Sequence, residues 1–325
     1  MARLNERKES YTFDYPEALE FADKQMSIFW TAHEINVEKD IQDIRVNMTE
    51  AEAHGVITTL RLFTLYELVA GRDYWLGRVL RRFPRPDVER MAATFGFFEL
   101  AVHAPFYNKI NEALMINTDE FYLSYVDDPL LKERMDFVEE LVKNKSDLMS
   151  LGAFSMIEGA VLYSSFAFLK HFQAKGKNKL MNVVRGINFS VRDENLHCLG
   201  GAWLFRTLMA EKLRLGEINE FDLTVLQSNL TECAKQVAEH EFHIVDKIFE
   251  KGEMEGITAE QMKTFVKSRV NLCLEQLGYK PVFEVSNNIV GEWFYDNINS
   301  VQLHDFFTGI GNSYNRNWNE TGFKW

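Results

Sequence analysis

The chain has 325 residues, of which 46% are hydrophobic, so it can form one large domain or two small ones with a sizeable core. The formal net charge of −12 makes a nucleic-acid phosphate surface a poor partner. The three cysteines are widely spaced, which suits reduced thiols. The N-terminus lacks the apolar core of a signal peptide, and no apolar stretch of about 18 residues is free of charge. We therefore expect a soluble, cytoplasmic protein with no membrane segment.

Helical patterns dominate the chain, because only 6 prolines and 18 glycines interrupt them. Capping boxes, Asp-Pro and glycine signals predict where the helices begin and end. In chain order, helices are predicted from Pro16 toward Trp30, from Thr49 to about Gly71, from Pro86 to about Leu114, from Pro129, from Ser146 through Phe168, through Val183 to Leu204, from about Glu217 to Gly252, and from Thr258 to Gly278. We find no alternating strand pattern and no internal repeat, so the predicted fold class is all-α.

The character of the sequence changes from about Asn297 onward. Glycine, asparagine and serine crowd into the terminal segment, which is typical of a flexible tail. The same segment carries aromatic residues, which favours a docking or relay element over simple disorder: Tyr314, Trp318, Phe323 and Trp325. We therefore predict a helical domain over residues 1–296 and a tail over residues 297–325.

Four of the predicted helices each carry a carboxylate on an otherwise apolar face. A glutamate in such a place is costly unless it is paired or bound to a metal. Glu194 and His197, three positions apart, share one helix face, and Glu99 lies four positions before His103. Four helices that supply four Glu and two His have the ligands of a carboxylate-bridged two-metal site. The predicted ligands are Glu67, Glu99, His103, Glu158, Glu194 and His197.

The ligand chemistry favours iron or manganese, because carboxylate-rich sites with one imidazole per metal suit these ions better than zinc or copper. One competing set also has ligand-type residues at helical spacing: Glu239, His240, Glu241 and His243. A single helix supplies this set, and its surroundings are polar and charged. We interpret it as a solvated face.

These motifs resemble the small (beta, radical-generating) subunit of class I ribonucleotide reductase over nearly the whole chain. The pieces that carry the resemblance are Trp30, the segment from Leu65 to Arg72, the segment from Glu99 through His103 to Tyr107, Glu158 with Tyr163 and Phe166, the segment from Val191 to His197, and the segment from Asp305 to Tyr314. The resemblance implies a ferritin-like helical bundle with additional helices and a flexible C-terminal tail. It also implies a homodimer whose tail docks on the large subunit, which reduces ribonucleotides.

The resemblance further implies roles for individual residues. The six predicted ligands would bind a dinuclear centre that holds Fe/Fe, Mn/Fe or Mn/Mn. Tyr107 would bear the radical, and Trp30, linked through Asp193 and His103, would begin the relay toward the partner. Tyr314 would be the mobile relay point on the tail. An alternative stays open, in which a high-valent metal pair holds the oxidising equivalent and Tyr107 is a bystander.

The chain departs from the family pattern at two positions. The family usually has Asp where this chain has Glu67, and Glu occurs there in branches that use manganese. The first carboxylate–histidine pair is usually three positions apart, whereas Glu99 and His103 are four apart. Pro105 removes an amide hydrogen just beyond this pair, so we predict a local π-bulge or kink near Leu100–His103 that restores the geometry. Without such a bulge Glu99 would not be a ligand.

Two rival functions belong to the same kind of bundle. The first is a dimetal oxidase that acts on its own small substrate, and Trp30 and Tyr314 argue against it. The second is an iron-storage protein of the ferritin type, which would be shorter and would form a shell.

Overall fold

Helices make up all the regular secondary structure that the computed structural model contains; it describes residues 2–295. Outside the helices of this range, one isolated antiparallel bridge joins Met254 and Ile257. The α-helices, in chain order, are α1 Pro16–Ser27, α2 Glu50–Leu68, α3 Leu80–Arg82, α4 Pro86–Phe98, α5 Ala104–Leu114, α6 Asp119–Leu123, α7 Pro129–Lys143, α8 Asp147–Ala160, α9 Tyr163–His171, α10 Met181–Arg214, α11 Glu220–Ile248, α12 Ala259–Leu277 and α13 Ile289–Phe294. The prediction of an all-α fold is confirmed.

Three further segments are wound as π-helices: Asp43–Asn47, Val69–Val79 and Glu99–His103. Short 3₁₀ helices occur at Ala32–Glu34, Val37–Asp40, Ser124–Asp127 and Ala174–Gly176. The third π-segment confirms the π-bulge that the spacing of Glu99, His103 and Pro105 predicts. Because Pro105 has no amide hydrogen, the ordinary bond to the carbonyl of Ala101 cannot form, and the wider turn accommodates this.

Side-chain caps set several of the predicted helix starts. Thr49 accepts a bond from the amide of Glu52 at 3.2 Å, and the Glu52 carboxylate accepts one from the Thr49 amide at 2.9 Å. Ser146 caps α8, and Thr258 with Gln261 caps α12. These caps satisfy amide groups that would otherwise have no partner in the first turn of each helix.

The helix predicted to end near Gly71 continues, so that prediction is wrong. The π-segment Val69–Val79 follows α2 directly and leads into α3. Gly71 serves packing instead. A Cβ atom there would lie 2.7 Å from Leu100 Cγ and 2.9 Å from Glu99 Cβ. The glycine therefore lets two helical segments cross closely beside Glu99.

The helix predicted from Ser146 through Phe168 is interrupted, which corrects that prediction. It ends at Ala160 and resumes as α9 at Tyr163. Leu162 between them has a left-handed backbone with φ of 72°, an unusual conformation for a branched side chain. The break lies directly after the turn that carries Glu158.

The centre of the fold is formed by α2, the α4–α5 segment, α8 and α10. Helix α8 packs against α10, α2 packs against α5, and α11 and α12 cover the outer side of α8. One described segment, Asp147–His171, has the length and apolar composition of a membrane span, and it is wholly buried inside the fold as a core helix would be.

Candidate metal centre

The six predicted ligands converge in the middle of the bundle. Glu67 comes from α2, Glu99 and His103 from the π-segment after α4, Glu158 from α8, and Glu194 and His197 from α10. Each is at most 5% exposed. The helices therefore bring together side chains that are up to 130 positions apart in the sequence.

The ligands form two overlapping sets of four. One set is Glu67, Glu99, His103 and Glu194, and the other is Glu99, Glu158, Glu194 and His197. Within each set, one donor atom from every residue lies within 4.8 Å of the others. The two sets share Glu99 and Glu194, which is the arrangement that carboxylates bridging two adjacent cations would take.

Both histidines turn the same ring nitrogen toward the carboxylates. Nδ1 of His103 lies 2.9 Å from Glu99 Oε2 and 3.1 Å from Glu194 Oε1. Nδ1 of His197 lies 2.5 Å from Glu99 Oε1 and 3.7 Å from Glu158 Oε2. Glu99 lies close to both imidazole rings. The geometry is therefore consistent with Glu99 as a metal ligand, although it is four positions from His103 instead of three.

The donor atoms of the cluster fit a pair of cations. Among the described residues, several of its buried polar atoms have no hydrogen-bond partner, and these are Oε1 of Glu67, Glu99 and Glu194 together with both ring nitrogens of His197. The 2.5 Å approach of His197 to Glu99 lacks hydrogen-bond angles, so it does not satisfy either atom. Buried charges without partners are strongly unfavourable, and two divalent ions would compensate four carboxylates.

The electrostatics of the cluster link cation binding to proton release. Burial and the neighbouring Glu99 carboxylate raise the pKa of Glu67, and the pKa of Glu158, well above the ordinary value. Burial opposes ionisation of Glu99, but His197 and His103 outweigh it and hold the pKa of Glu99 well below its usual range. Cations must therefore displace protons from Glu67 and Glu158, so metal affinity falls as pH is lowered.

A hydrogen-bonded chain leads outward from His103. Nε2 of His103 lies 3.1 Å from Asp193 Oδ2, and Trp30 Nε1 donates to the same oxygen at 2.7 Å. Trp30 is 2% exposed, and its ring centroid is 6.0 Å from that of His103. The carboxylate fixes the imidazole so that Nδ1 faces the ligand cluster. The predicted link from Trp30 through Asp193 to His103 is thus present as direct contacts.

The other histidine has a different environment. His197 packs on the ring of Phe95 at 4.4 Å, and its Nε2 has no hydrogen-bond acceptor in the described part of the chain. The two halves of the cluster therefore differ on the outer side of their imidazoles.

Tyr107 is fully buried beside the cluster. Its ring lies 4.5 Å from that of Phe63 and 5.2 Å from that of Phe106. Burial and the Glu67 carboxylate raise the pKa of Tyr107 well above its ordinary value, so the phenol stays protonated. Its hydroxyl group forms no hydrogen bond of standard geometry among the described residues, and the neighbouring Ser190 hydroxyl opposes the rise in pKa only weakly. The site thus places an isolated phenol in a dry, aromatic surround.

The sequence interpretation missed Trp75, which holds a ligand in place. Trp75 is fully buried, and its Nε1 donates to Glu158 Oε1 at 2.7 Å. Its ring also contacts Phe95 and His197. Nothing in the spacing of Trp75 relates it to Glu158, and the predicted end of the helix near Gly71 left Trp75 outside that helix.

The interpretation of Glu239–His243 as a solvated face is wrong for two of its members. Glu241 is fully buried and pairs with Arg134 at 2.5 Å, and it accepts a bond from the Ser164 hydroxyl at 2.6 Å. His240 is also buried. The reason is that α11 lies against α8 and α7, where Arg134 supplies the opposite charge. No metal-binding group of three forms there among the described side chains.

A small cavity of about 20 Å³ adjoins the ligands on the side away from the histidines. Its lining includes Tyr66, Glu67, Glu158, Leu162 and Glu194. This volume admits one water-sized molecule. It would therefore accept a diatomic molecule but not an organic substrate.

The fold and the site together match one family of known proteins. Residues 7–288 match the family described as "Ribonucleotide reductase, small chain". The chain belongs to the ribonucleotide reductase small chain family. It is the small subunit of a class I ribonucleotide reductase, and it acts with a large subunit.

Individual relatives agree with this assignment. The chain is 26% identical to the probable ribonucleoside-diphosphate reductase small subunit 048L of Invertebrate iridescent virus 3, over 91% of this chain and 81% of that protein. It is 25% identical to the ribonucleoside-diphosphate reductase 2 subunit beta of Escherichia coli K12, over 91% of this chain and 89% of that protein. The dimanganese(II)-NrdF structure from Streptococcus sanguinis matches with a TM-score of 0.75 and 22% identity, covering 89% of this chain and 99% of that one. The ferritin-like helical bundle predicted from the sequence is confirmed.

The tail predicted over residues 297–325, with its relay residue Tyr314, lies outside the described residues.

The hydrogen bond from Trp75 generates a prediction about metal affinity. Trp75→Phe removes the donor and leaves a carboxylate oxygen of Glu158 without a partner, so metal binding at the His197 half should weaken about 10- to 100-fold. Stepwise Mn(II) titration followed by electron paramagnetic resonance (EPR) measures this. Trp203→Phe is the matched control, because Trp203 lies on α10 and packs on Phe21. Equal affinities in the two variants would contradict the role of Trp75.

Proposed function

We propose that two metal ions would be held by Glu67, Glu99, His103, Glu158, Glu194 and His197, with Glu99 and Glu194 within reach of both ions. The observation that carries this proposal is the pair of four-residue donor sets that share these two glutamates. When bound, the ions would supply the oxygen activation that produces a one-electron oxidant. The oxygen-rich donor set suits Fe/Fe, Mn/Fe or Mn/Mn, and the likeness to a dimanganese(II) protein favours a role for manganese.

Tyr107 stores the oxidising equivalent in this proposal. A phenoxyl radical survives only where water and reductants are excluded, and the ring is fully buried between Phe63 and Phe106. No carboxylate or amide accepts its hydroxyl proton among the described residues. We propose that the phenol exchanges its proton on the cluster side of the site, because Glu67 is the carboxylate with the largest electrostatic effect on its pKa.

Trp30, Asp193 and His103 carry the equivalent away from the centre. One oxygen of Asp193 contacts both the indole N–H and the imidazole, so electron transfer from Trp30 is coupled to a carboxylate that can take its proton. Trp30 is buried behind Phe189 and Phe106, which keeps solvent away from this step.

The relay continues to the large subunit through the C-terminal tail. We propose that residues 1–296 form the metal-binding domain and that residues 297–325 form the tail that docks on the large subunit, with Tyr314 as the relay point. We also propose that the small subunit works as a homodimer. The aromatic residues within this glycine- and asparagine-rich segment support the docking role.

The rival reading, a dimetal oxidase with its own substrate, is not favoured. Such an enzyme needs a pocket beside the metals that fits an organic molecule. The cavity at Glu67 and Glu158 holds only a water-sized molecule. A reaction that passes its oxidant to another protein needs no larger space.

The first prediction of this proposal concerns the radical. Tyr107→Phe should abolish the tyrosyl EPR signal of the metal-loaded, oxygen-exposed protein, because phenylalanine cannot form a phenoxyl radical. Tyr74→Phe is the matched control, since Tyr74 is also fully buried with no acceptor for its hydroxyl in the described structure. A tyrosyl signal that persists in Tyr107→Phe would assign storage elsewhere.

The second prediction concerns the relay. Trp30→Phe should reduce ribonucleotide reduction with the large subunit to background, while metal content and the Tyr107 signal persist. Phenylalanine keeps the packing but removes both the oxidisable ring and the N–H bond to Asp193. Trp203→Phe should retain activity. The relay assignment is untenable if Trp30→Phe still turns over at the wild-type rate.

The third prediction concerns the tail. Deleting the residues after Asn312 should abolish ribonucleotide reduction while metal loading and the radical signal persist. The measurement is turnover with the large subunit beside metal analysis of the same preparation. Full activity of the truncated chain would exclude the tail role and would reopen the oxidase reading.

A further inference from the structure

A second aromatic route leads away from Tyr107, in addition to the one through Trp30. Ring centroids are 4.5 Å apart for Tyr107 and Phe63, 5.5 Å for Phe63 and Phe166, and 5.5 Å for Phe166 and Tyr163. Beyond Tyr163 the contacts continue to Phe294 at 5.9 Å and from there to Tyr295 at 5.0 Å. We call these six residues the aromatic ladder: Tyr107, Phe63, Phe166, Tyr163, Phe294 and Tyr295. It connects the buried phenol to a half-buried tyrosine and so offers a path by which an oxidising equivalent could be lost.

Whether the oxidising equivalent is lost along the aromatic ladder depends on whether Tyr163 can be oxidised. It is fully buried, and its hydroxyl donates to Asn195 Oδ1 at 2.8 Å. A tyrosine that becomes a neutral radical gives up one electron and its phenolic proton. An amide oxygen accepts a hydrogen bond but is too weak a base to keep the proton. Removing an electron from Tyr163 therefore leaves positive charge on its ring.

The positive charge of Arg269 makes a positive charge on the Tyr163 ring unfavourable. Its Cζ lies 3.9 Å from the centroid of the Tyr163 ring, and one of its terminal nitrogens donates to the same Asn195 oxygen at 3.0 Å. Arg269 is 1% exposed, so water screens the charge little. A guanidinium group over a ring face is attracted by the neutral, electron-rich ring and repels a ring that becomes positive.

We propose that Arg269 is a specificity-determining residue. It keeps Tyr163 reduced and so directs the oxidising equivalent to Trp30. The reaction that Arg269 opposes is the transfer of one electron from Tyr163 to the Tyr107 radical. Tyr163 would keep its hydroxyl proton and become a radical cation, and Tyr107 would gain the electron and take back the proton that it gave to the cluster side of the site. This inference rests on the proposed metal centre as the source of the oxidant.

Arg269 also has a structural role, which the test must separate. It donates to the carbonyl oxygen of Gly159 at 2.6 and 3.0 Å and to the hydroxyl of Tyr295 at 3.1 Å. The bond to Gly159 caps the last turn of α8 beside Glu158. Arg269→Lys keeps the positive charge, Arg269→Gln removes it, and both disturb the cap.

The test is the lifetime of the tyrosyl EPR signal in the metal-loaded full chain. Arg269→Gln should shorten it about tenfold, which corresponds to about 1.4 kcal/mol of lost protection. Arg269→Lys should decay close to the wild-type rate. Arg269→Gln combined with Tyr163→Phe should regain the wild-type lifetime, because the oxidisable step is gone. Circular dichroism and metal content establish that each variant is folded and loaded.

Two results would overturn the inference. One is an unchanged lifetime in Arg269→Gln. The other is a fast decay that persists when Tyr163→Phe is added, since loosening of α8 alone would then account for it.

Variants made in the Tyr107→Phe protein test the role of Arg269 independently of the role of Tyr107. In Tyr107→Phe, adding Arg269→Gln should produce a new tyrosyl signal that Tyr163→Phe removes and that ring-deuterated tyrosine narrows. One outcome is that the wild type shows no tyrosyl signal while the combination of Tyr107→Phe and Arg269→Gln shows one. That result would refute radical storage on Tyr107 and would support the role of Arg269. If this combination yields no Tyr163 signal, the Arg269 inference fails whatever Tyr107 does.

Discussion

The structure depends on one electrostatic constraint, which is the burial of four carboxylates and two imidazoles at a point where four helical segments meet. Such a group is strongly unfavourable in an apolar interior unless positive charge is bound there. Much of the surrounding architecture follows from this requirement. Gly71 allows the helical segments to approach at Glu99, and the π-turn from Glu99 to His103 points both side chains at the same spot. The packing of the helices and the position of the carboxylate–histidine cluster therefore depend on each other.

Around this cluster the aromatic side chains are arranged in two different ways. On one side, Trp30 shares a carboxylate oxygen with His103, so an electron and a proton can move together. On the other side, Tyr163 faces an amide and a buried guanidinium group, which makes the loss of an electron unfavourable. Phenylalanine fills the remaining space and is not oxidised under these conditions. In the proposed relay, Trp30, which has a base beside it, would be oxidised in preference to Tyr163, which has none.

Much of the site was predictable from the sequence because each ligand is a local anomaly. Glu67 and Glu158 interrupt apolar helical faces, and the spacing of Glu99, His103 and Pro105 predicts the π-turn. Residues that act through contacts between distant segments were not predictable. Trp75 reaches Glu158 across 83 positions, and the burial of Glu241 depends on Arg134, which is supplied by another helix.

The helix breaks illustrate the same limit. A leucine favours helix, so the left-handed turn at Leu162 has no local signal, and it arises from the packing around it. At Gly71 the local signal was misleading. Glycine commonly ends a helix, but here it allows two helical segments to pack closely. Local propensity locates a helix better than it locates the point at which tertiary contacts reshape that helix.

The unequal surroundings of His103 and His197 have a consequence for metallation. An imidazole hydrogen-bonded to a carboxylate is a stronger electron donor than one packed on a phenyl ring. In the proposed dinuclear centre the two coordination positions would therefore differ in Lewis basicity, and occupancy from a mixed pool of ions would not be statistical. Such a centre would take its metal composition from the order in which its two positions are filled.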